Sequence, residues 1–180
     1  MILATMKIVV LSDTHIPERA SKIPDEIIPF LKNCDLIVHA GDLTDEVVLN
    51  QLKSFGDLII VKGNMDYLDL PRQRLFDAEG IRFGVYHGHG IYPRGDRKQL
   101  VEIALNLGVD VLLTGHTHRS DVYKGDALIL NPGSATGAWG GGGGSGIPSF
   151  MVLDVEEGVI TVDLYEIREK LIFKRFKFDV

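Results

Sequence analysis

Five short apolar runs, each stopping at a glycine or at a side chain able to bind a metal ion, constrain this chain more than any other feature. Lys7 to Leu11 ends at Ser12-Asp13, Leu36 to His39 at Gly41-Asp42, and Leu58 to Val61 at Gly63-Asn64. Ile81 to Tyr86 ends at His87-Gly88-His89, and Val109 to Leu113 at Gly115-His116. Short apolar, β-branched runs bounded by turn formers read as buried strands.

Helical spacing alternates with these strands. Ile23 to Asn33 reads as a helix with Pro24 in its first turn and Pro29 kinking or shortening it. Thr44 is the expected N-cap of a second helix, with Asp45 and Glu46 in the first turn and Val48, Leu52 and Phe55 on one face. Leu100, Ile103, Ala104 and Leu107 mark a third. Such alternation argues for parallel crossover units.

The last third changes character. Val122 to Lys124, Ala127 to Leu130, Ser149 to Val155, Val159 to Glu166 and Leu171 to Phe178 read as strands, with tight turns at Gly125-Asp126 and Glu157-Gly158. Antiparallel hairpins are expected there. The whole reads as an α/β fold of two packed sheets with helices outside.

At 180 residues the chain fits one domain, residues 1–180, able to bury its own core. A single cysteine, Cys34, excludes an internal disulfide and points to a reducing, cytoplasmic setting. The net charge of -6 argues against a grip on long nucleic acid. No apolar run is long enough to span a bilayer, and the N-terminus has no basic segment ahead of an apolar stretch, so no membrane partner is expected. Met6 is an alternative start that would leave residues 1–5 as a short arm. A homo-oligomer is compatible with all of this.

The chemistry lies where the strands stop. Asp13-x-His15, Gly41-Asp42, Gly63-Asn64, His87-x-His89 and Gly115-His116-x-His118 each follow a strand directly, so their side chains are expected on one edge of the sheets, where α/β folds place ligands. Any one of them alone is more often an exposed loop or a satisfied histidine; five on one edge are not. Glycine lets the backbone turn sharply enough to aim the next side chain inward. Oxygen and imidazole donors without thiolate suit Mn, Fe, Co, Ni or Zn, and the set exceeds what one ion needs. Two ions are therefore implied, with a single aspartate able to bridge them.

In this order and spacing the motifs resemble the calcineurin-like metallophosphoesterase superfamily. The whole chain is similar to its small single-domain phosphodiesterase branch, which also contains the scaffold subunit of the retromer coat; the turn Asn131-Pro132-Gly133-Ser134 is typical of that branch. The resemblance implies a four-layer αββα sandwich of two mixed sheets flanked by helices, with a dinuclear metal site at the carboxyl ends of the strands. It implies Asp13, His15, Asp42 and His118 around one metal, and Asp42, Asn64, His87 and His116 around the other, Asp42 bridging. His89 is implied as a catalytic or substrate-side group. One departure stands out: many members carry a histidine after the Gly-Asn pair that helps protonate the leaving group, whereas this chain has Met65.

Other signals are weaker. His39, inside an apolar strand, reads as a hydrogen-bonded core histidine. Gly137 to Gly146, with Trp139 inside it, lacks the Gly-Lys-Ser/Thr of a phosphate cradle and reads as a mobile loop. Arg94 is a candidate substrate contact through bidentate hydrogen bonds to phosphate. Phe173, Phe176 and Phe178 read as core or subunit-contact residues.

The expected function is a manganese-first, two-metal phosphodiesterase that hydrolyses small phosphate esters by attack of a metal-bridging hydroxide. A protein-binding scaffold, or a phosphometabolite-binding module with little turnover, are the alternatives on the same fold. A scaffold can lose ligands without penalty, yet all seven positions remain.

Overall fold

The computed structural model describes residues 5–180; residues 1–4, and with them most of the arm that a start at Met6 would leave, lie outside the described residues. Two mixed sheets pack face to face. The first has the order β11-β10-β9-β1-β2-β3 and the second β4-β5-β6-β8-β7. Their strands are β1 Met6–Leu11, β2 Leu36–His39, β3 Leu58–Ile60, β4 Gln73–Ala78, β5 Ile81–Tyr86, β6 Val111–Leu113, β7 Ser120–Lys124, β8 Leu128–Pro132, β9 Ser149–Glu156, β10 Val159–Ile167 and β11 Leu171–Asp179. The helices are α1 Ile28–Lys32, α2 Glu46–Phe55 and α3 Arg97–Leu107. Among the described residues no helix is long and apolar enough to cross a membrane.

Period-two alternation sorts each strand between layers. On β1, Ile8 and Val10 join the core between the sheets, while Val9 and Leu11 pack outward with Leu31, Val48 and Leu52 of α1 and α2. On the second sheet, Val111 and Leu113 face the first, while Leu112 and Ile129 pack against Leu100 and Ala104 of α3. Three apolar interfaces thus separate four layers. Each fully buried aliphatic side chain in them contributes about 1.5–3 kcal/mol relative to exposure.

Parallel pairing of β1 with β2 and β2 with β3, and of β5 with β6, sends the carboxyl ends of these strands to shared edges. The tail is antiparallel, as its turns predict, but is divided between the sheets: β9 pairs with β1, while β8 pairs in parallel with β6.

Two local expectations are corrected, and one strand is added to those read from the sequence. The helix expected over residues 23–33 is confined to Ile28–Lys32, with Pro29 in its first turn, because proline has no amide to bond back into a longer helix. The N-cap of α2 is Asp45, whose side chain accepts from the Val47 amide. Thr44 is drawn instead toward the site, its hydroxyl donating to the Ile16 carbonyl (2.8 Å) and its amide to Asp66 (2.8 Å). Finally, β4 was not legible as a strand, since most of it is exposed and its sequence, Gln73-Arg74-Leu75-Phe76-Asp77-Ala78, does not alternate. Its signal is the Glu79-Gly80 turn, both residues at positive φ, which joins it to β5 as a tight hairpin.

Candidate metal centre

Tight backbone turns aim the predicted side chains inward. Asp13, His15, Asp42, His116 and His118 all have left-handed φ, at 53°, 46°, 59°, 71° and 58°. Such a conformation costs a non-glycine residue roughly 1–2 kcal/mol. Bonds between the loops hold it in place. The Asp13 amide donates to the Gly41 carbonyl (3.0 Å), His15 to the Asp42 carbonyl (3.1 Å) and Gly115 to the His87 carbonyl (3.0 Å). The His116 amide donates across the sheets to Asp13 Oδ2 (2.9 Å).

Asp13, His15, Asp42 and His118 are buried and bring one donor atom each to within 4.8 Å of one another. His15 Nε2 lies 3.2 Å from His118 Nε2, and Asp13 Oδ1 lies 3.3 Å from His118 Nε2. Two bonds of about 2.0–2.1 Å at a tetrahedral or octahedral angle separate their donors by about 3 Å, so this spacing suits ligands of one ion. The carboxylate of Asp13 is divided in its duties. Oδ2 accepts from Ser12 Oγ (2.6 Å) and from the His116 amide, whereas Oδ1 is buried without a hydrogen-bond partner. An orphaned carboxylate oxygen facing imidazole nitrogens is what a cation site requires.

A second group adjoins the first. Asn64 Oδ1 lies 3.1 Å from His87 Nε2 and 3.0 Å from His116 Nδ1, and Asp42 Oδ2 lies 3.2 Å from His87 Nε2. The same Oδ2 is 3.5 Å from His15 Nε2, so one oxygen of Asp42 faces both groups. Its other oxygen, Oδ1, is taken by the Met65 amide (2.7 Å). Outer carbonyls orient the rings: His87 Nδ1 donates to Ala40 O (2.7 Å) and His118 Nδ1 to Ala138 O (2.7 Å), leaving Nε2 of each turned inward.

Without a cation the cluster is balanced by protons. Burial opposes charging of Asp13, but attraction from His87, with the His118 and His15 imidazoles close by, holds its carboxyl well below the usual range. Burial likewise opposes charging of His87, yet Asp13 and Asp42 raise it to about 9. His118 is raised by Asp13 against its burial, while burial and the His87 charge push His116 down to about 4. Donors of this kind suit divalent cations, which would take the place of those protons.

A model of the calcineurin-like phosphoesterase superfamily domain matches residues 6–158. The chain belongs to this superfamily. A probable metallophosphoesterase of Methanocaldococcus jannaschii is 47% identical over 133 residues, covering 73% of this chain and 69% of that protein. Vps29 of Entamoeba histolytica, solved in complex with zinc, superposes with a TM-score of 0.87 at 30% identity over 96% of this chain and 99% of that one. Vps29 of Chaetomium thermophilum, solved with a cyclic peptide, gives 0.84 at 28% identity over 97% of each. These relationships support phosphoester hydrolysis with divalent metal ions as the general chemistry of the chain.

Within this metallophosphoesterase fold, Asp66 is a site residue that sequence reasoning missed. Its buried carboxylate accepts from the amides of Asp42, Thr44 and Gly63, each at 2.8 Å, and so clamps the turn that presents Asp42. Its place two residues after Asn64 is the only sequence signal. His39 is the satisfied core histidine expected: Nδ1 accepts from the Gly41 amide (3.2 Å), and Nε2 donates to Thr14 Oγ1 (3.1 Å).

Gly63 makes the close approach possible. A Cβ there would stand 2.5 Å from the Asp42 amide nitrogen and closer still to its carboxylate. Gly63→Ala is therefore expected to cost about 2–3 kcal/mol in unfolding free energy and to weaken metal uptake. Gly80→Ala, where φ is +79° but a Cβ meets nothing within 4 Å, should cost only about 1 kcal/mol and leave metal uptake intact. Equal metal uptake in the two variants, measured by titration, would show that close packing is not what Gly63 provides.

His89 stands apart from the convergent seven. Its half-buried ring is centred 5.7 Å from that of His87, its Nδ1 has no partner, and its carbonyl accepts from Tyr86 Oη (2.6 Å). Burial and the His87 charge hold it below its ordinary value. Arg94 donates from Nη2 to the His116 carbonyl (2.5 Å) and lies against the backbone of Gly142. The glycine-rich segment, whose relation to the site the sequence leaves open, is seated against His118. Its Gly140 backbone faces the His118 imidazole, and the Ser145 amide donates to the His118 carbonyl (3.3 Å).

Proposed function

We propose that residues 1–180 form one metallophosphoesterase domain acting as a phosphodiesterase on small phosphate esters. The observation that carries this reading is Asp42 Oδ2, which faces His15 of one donor group and His87 of the other. Asp13, His15, Asp42 and His118 would hold one divalent ion, and Asp42, Asn64, His87 and His116 a second. Manganese is the first choice, with iron, cobalt, nickel or zinc as alternatives. When bound, such ions supply Lewis acidity toward a phosphoryl oxygen and a water activated at neutral pH.

The residues of the chain do the rest. Asn64 is exposed while Asp13, His15 and His87 are fully buried, so the ester would enter on the Asn64 side. Arg94, beside His116, supplies positive charge at that mouth. His89 is the half-buried imidazole whose ring lies beside that of His87, next to the ligand cluster, and it is the group assigned to meet the substrate.

Met65 sets the expected preference. Its amide positions Asp42, but its side chain has no proton to give a departing alkoxide. General acid catalysis contributes on the order of a hundredfold or more where it is needed. Aryl diesters should therefore turn over well and alkyl diesters poorly, with diesters ahead of monoesters. The measurement is kcat/KM across a series of aryl and alkyl phosphodiesters in the wild type, Met65→His and His89→Ala. A flat dependence on leaving-group pKa that becomes steep in His89→Ala would show that His89 already delivers the proton and would refute the restriction assigned to Met65. No turnover of any ester by metal-loaded protein would favour a protein-binding role, for which the peptide-bound Vps29 is the precedent.

A further inference from the structure

Four aromatic side chains are exposed among the described residues: Tyr67, Tyr92, Trp139 and Phe173. Phe173 lies on the edge strand β11. The other three sit on loops of the metal edge, with Tyr67 three residues after Asn64, Tyr92 three after His89, and Trp139 next to Ala138, whose carbonyl accepts from His118.

Trp139 is the one held in place. Arg19 donates from Nη1 to its carbonyl (2.9 Å) and lays its guanidinium 4.0 Å from the centre of the indole. The Arg19 amide in turn donates to the carbonyl of His15 (2.8 Å). On the other side, Gly140 packs so closely on the His118 imidazole that a Cβ there would come within 2.9 Å. The segment that carries the indole is thus tied through short links to two neighbouring members of one donor group, His15 and His118. With Arg19 over one face and 65% of the residue exposed, the opposite face is open.

We propose that Trp139 is a stacking platform for a flat aromatic group of the ester, a nucleobase or an aryl ring, so that the site selects aromatic-bearing phosphate esters. This rests on the phosphoesterase reading and adds the substrate class. A fixed ring with a free face accepts any flat group, and the segment that carries it is seated on His118 through Ala138 and Gly140, its two chain neighbours. Stacking of one base on an aromatic side chain is worth about 1–3 kcal/mol, which is roughly five- to 150-fold in affinity.

Trp139 is the sole tryptophan, so its fluorescence reports contact directly. Metal-loaded protein is titrated with adenosine 5′-monophosphate, ribose 5-phosphate and inorganic phosphate. KM is then compared for a diaryl and a dialkyl phosphodiester in the wild type, Trp139→Ala and Trp139→Phe. Saturable quenching by the nucleotide but not by the sugar phosphate is expected. Trp139→Ala should raise KM for the diaryl ester about fivefold or more relative to its effect on the dialkyl ester, and Trp139→Phe should recover most of that loss. Equal responses to nucleotide and sugar phosphate, or an equal KM rise for both esters, overturns the platform. Nucleotide quenching in a protein that hydrolyses no ester would keep the platform and remove the hydrolase reading.

Discussion

Asp42→Asn is expected to lower kcat/KM by roughly a thousandfold, against about 10- to 100-fold for His89→Ala. The amide is nearly isosteric and keeps one oxygen able to accept from the Met65 amide. The carboxylate charge is lost, and an NH₂ group can then stand where Oδ2 faces His15 and His87. On the proposed two-ion site that carboxylate would supply negative charge to both ions, so the variant should also bind less metal. His89 belongs to neither donor group, and its loss should leave metal content intact. Equal kinetic losses with full metal content in both variants would remove the bridging role of Asp42.

Removing metal with a strong chelator should abolish turnover, and Mn²⁺ should restore it better than Ca²⁺. Four imidazoles, from His15, His87, His116 and His118, disfavour a hard ion that seeks oxygen. Proton competition gives this prediction a pH signature. In the metal-free protein His87 is raised from 6.5 to about 9, so near neutral pH it carries a proton that the ion must displace. Metal affinity should rise with pH up to about 9, by about tenfold per unit for each proton displaced. The stability of the metal-free protein runs the opposite way. A raised folded-state value stabilises fully below 6.5 and loses that contribution as pH climbs through 9, so the Tm of the metal-free protein should fall across that interval. Activity that survives complete demetallation, verified by metal analysis, is the result that would end the metal mechanism.

Much of the site was legible because its code is local. A strand that stops at an aspartate, asparagine or histidine, with or without a glycine before it and with a histidine two residues on in several cases, is a short-range pattern, and parallel strands bring such stops to one edge. Asp13, His15, Asp42, Asn64, His87, His116 and His118 were all identifiable in this way, and the structure brings all seven together. Met65 was legible as a departure only against the pattern of the family that the motifs resemble. By contrast, β4 escaped because an exposed edge strand buries too little to impose alternation on its sequence. The shift of the α2 N-cap from Thr44 to Asp45 escaped because the carboxylate that captures the Thr44 amide comes from a loop 22 residues away.

The chain's sequence by itself determined the residue chemistry of the centre and a fold of two packed sheets with helices outside, since hydrophobic periodicity and turn residues act over a few positions, and the order of its motifs carried the family resemblance. Only the tertiary structure decided how those donors are used. Burial of the loops against one another selects which oxygen of Asp13 and Asp42 is left facing the imidazoles, turns Nε2 of His87 and His118 inward by engaging Nδ1, makes Asp66 a clamp, and seats Trp139 beside His118. Each of these depends on a hydrogen bond or close contact between segments distant in the chain, and such partners are specified only when the sheets have packed.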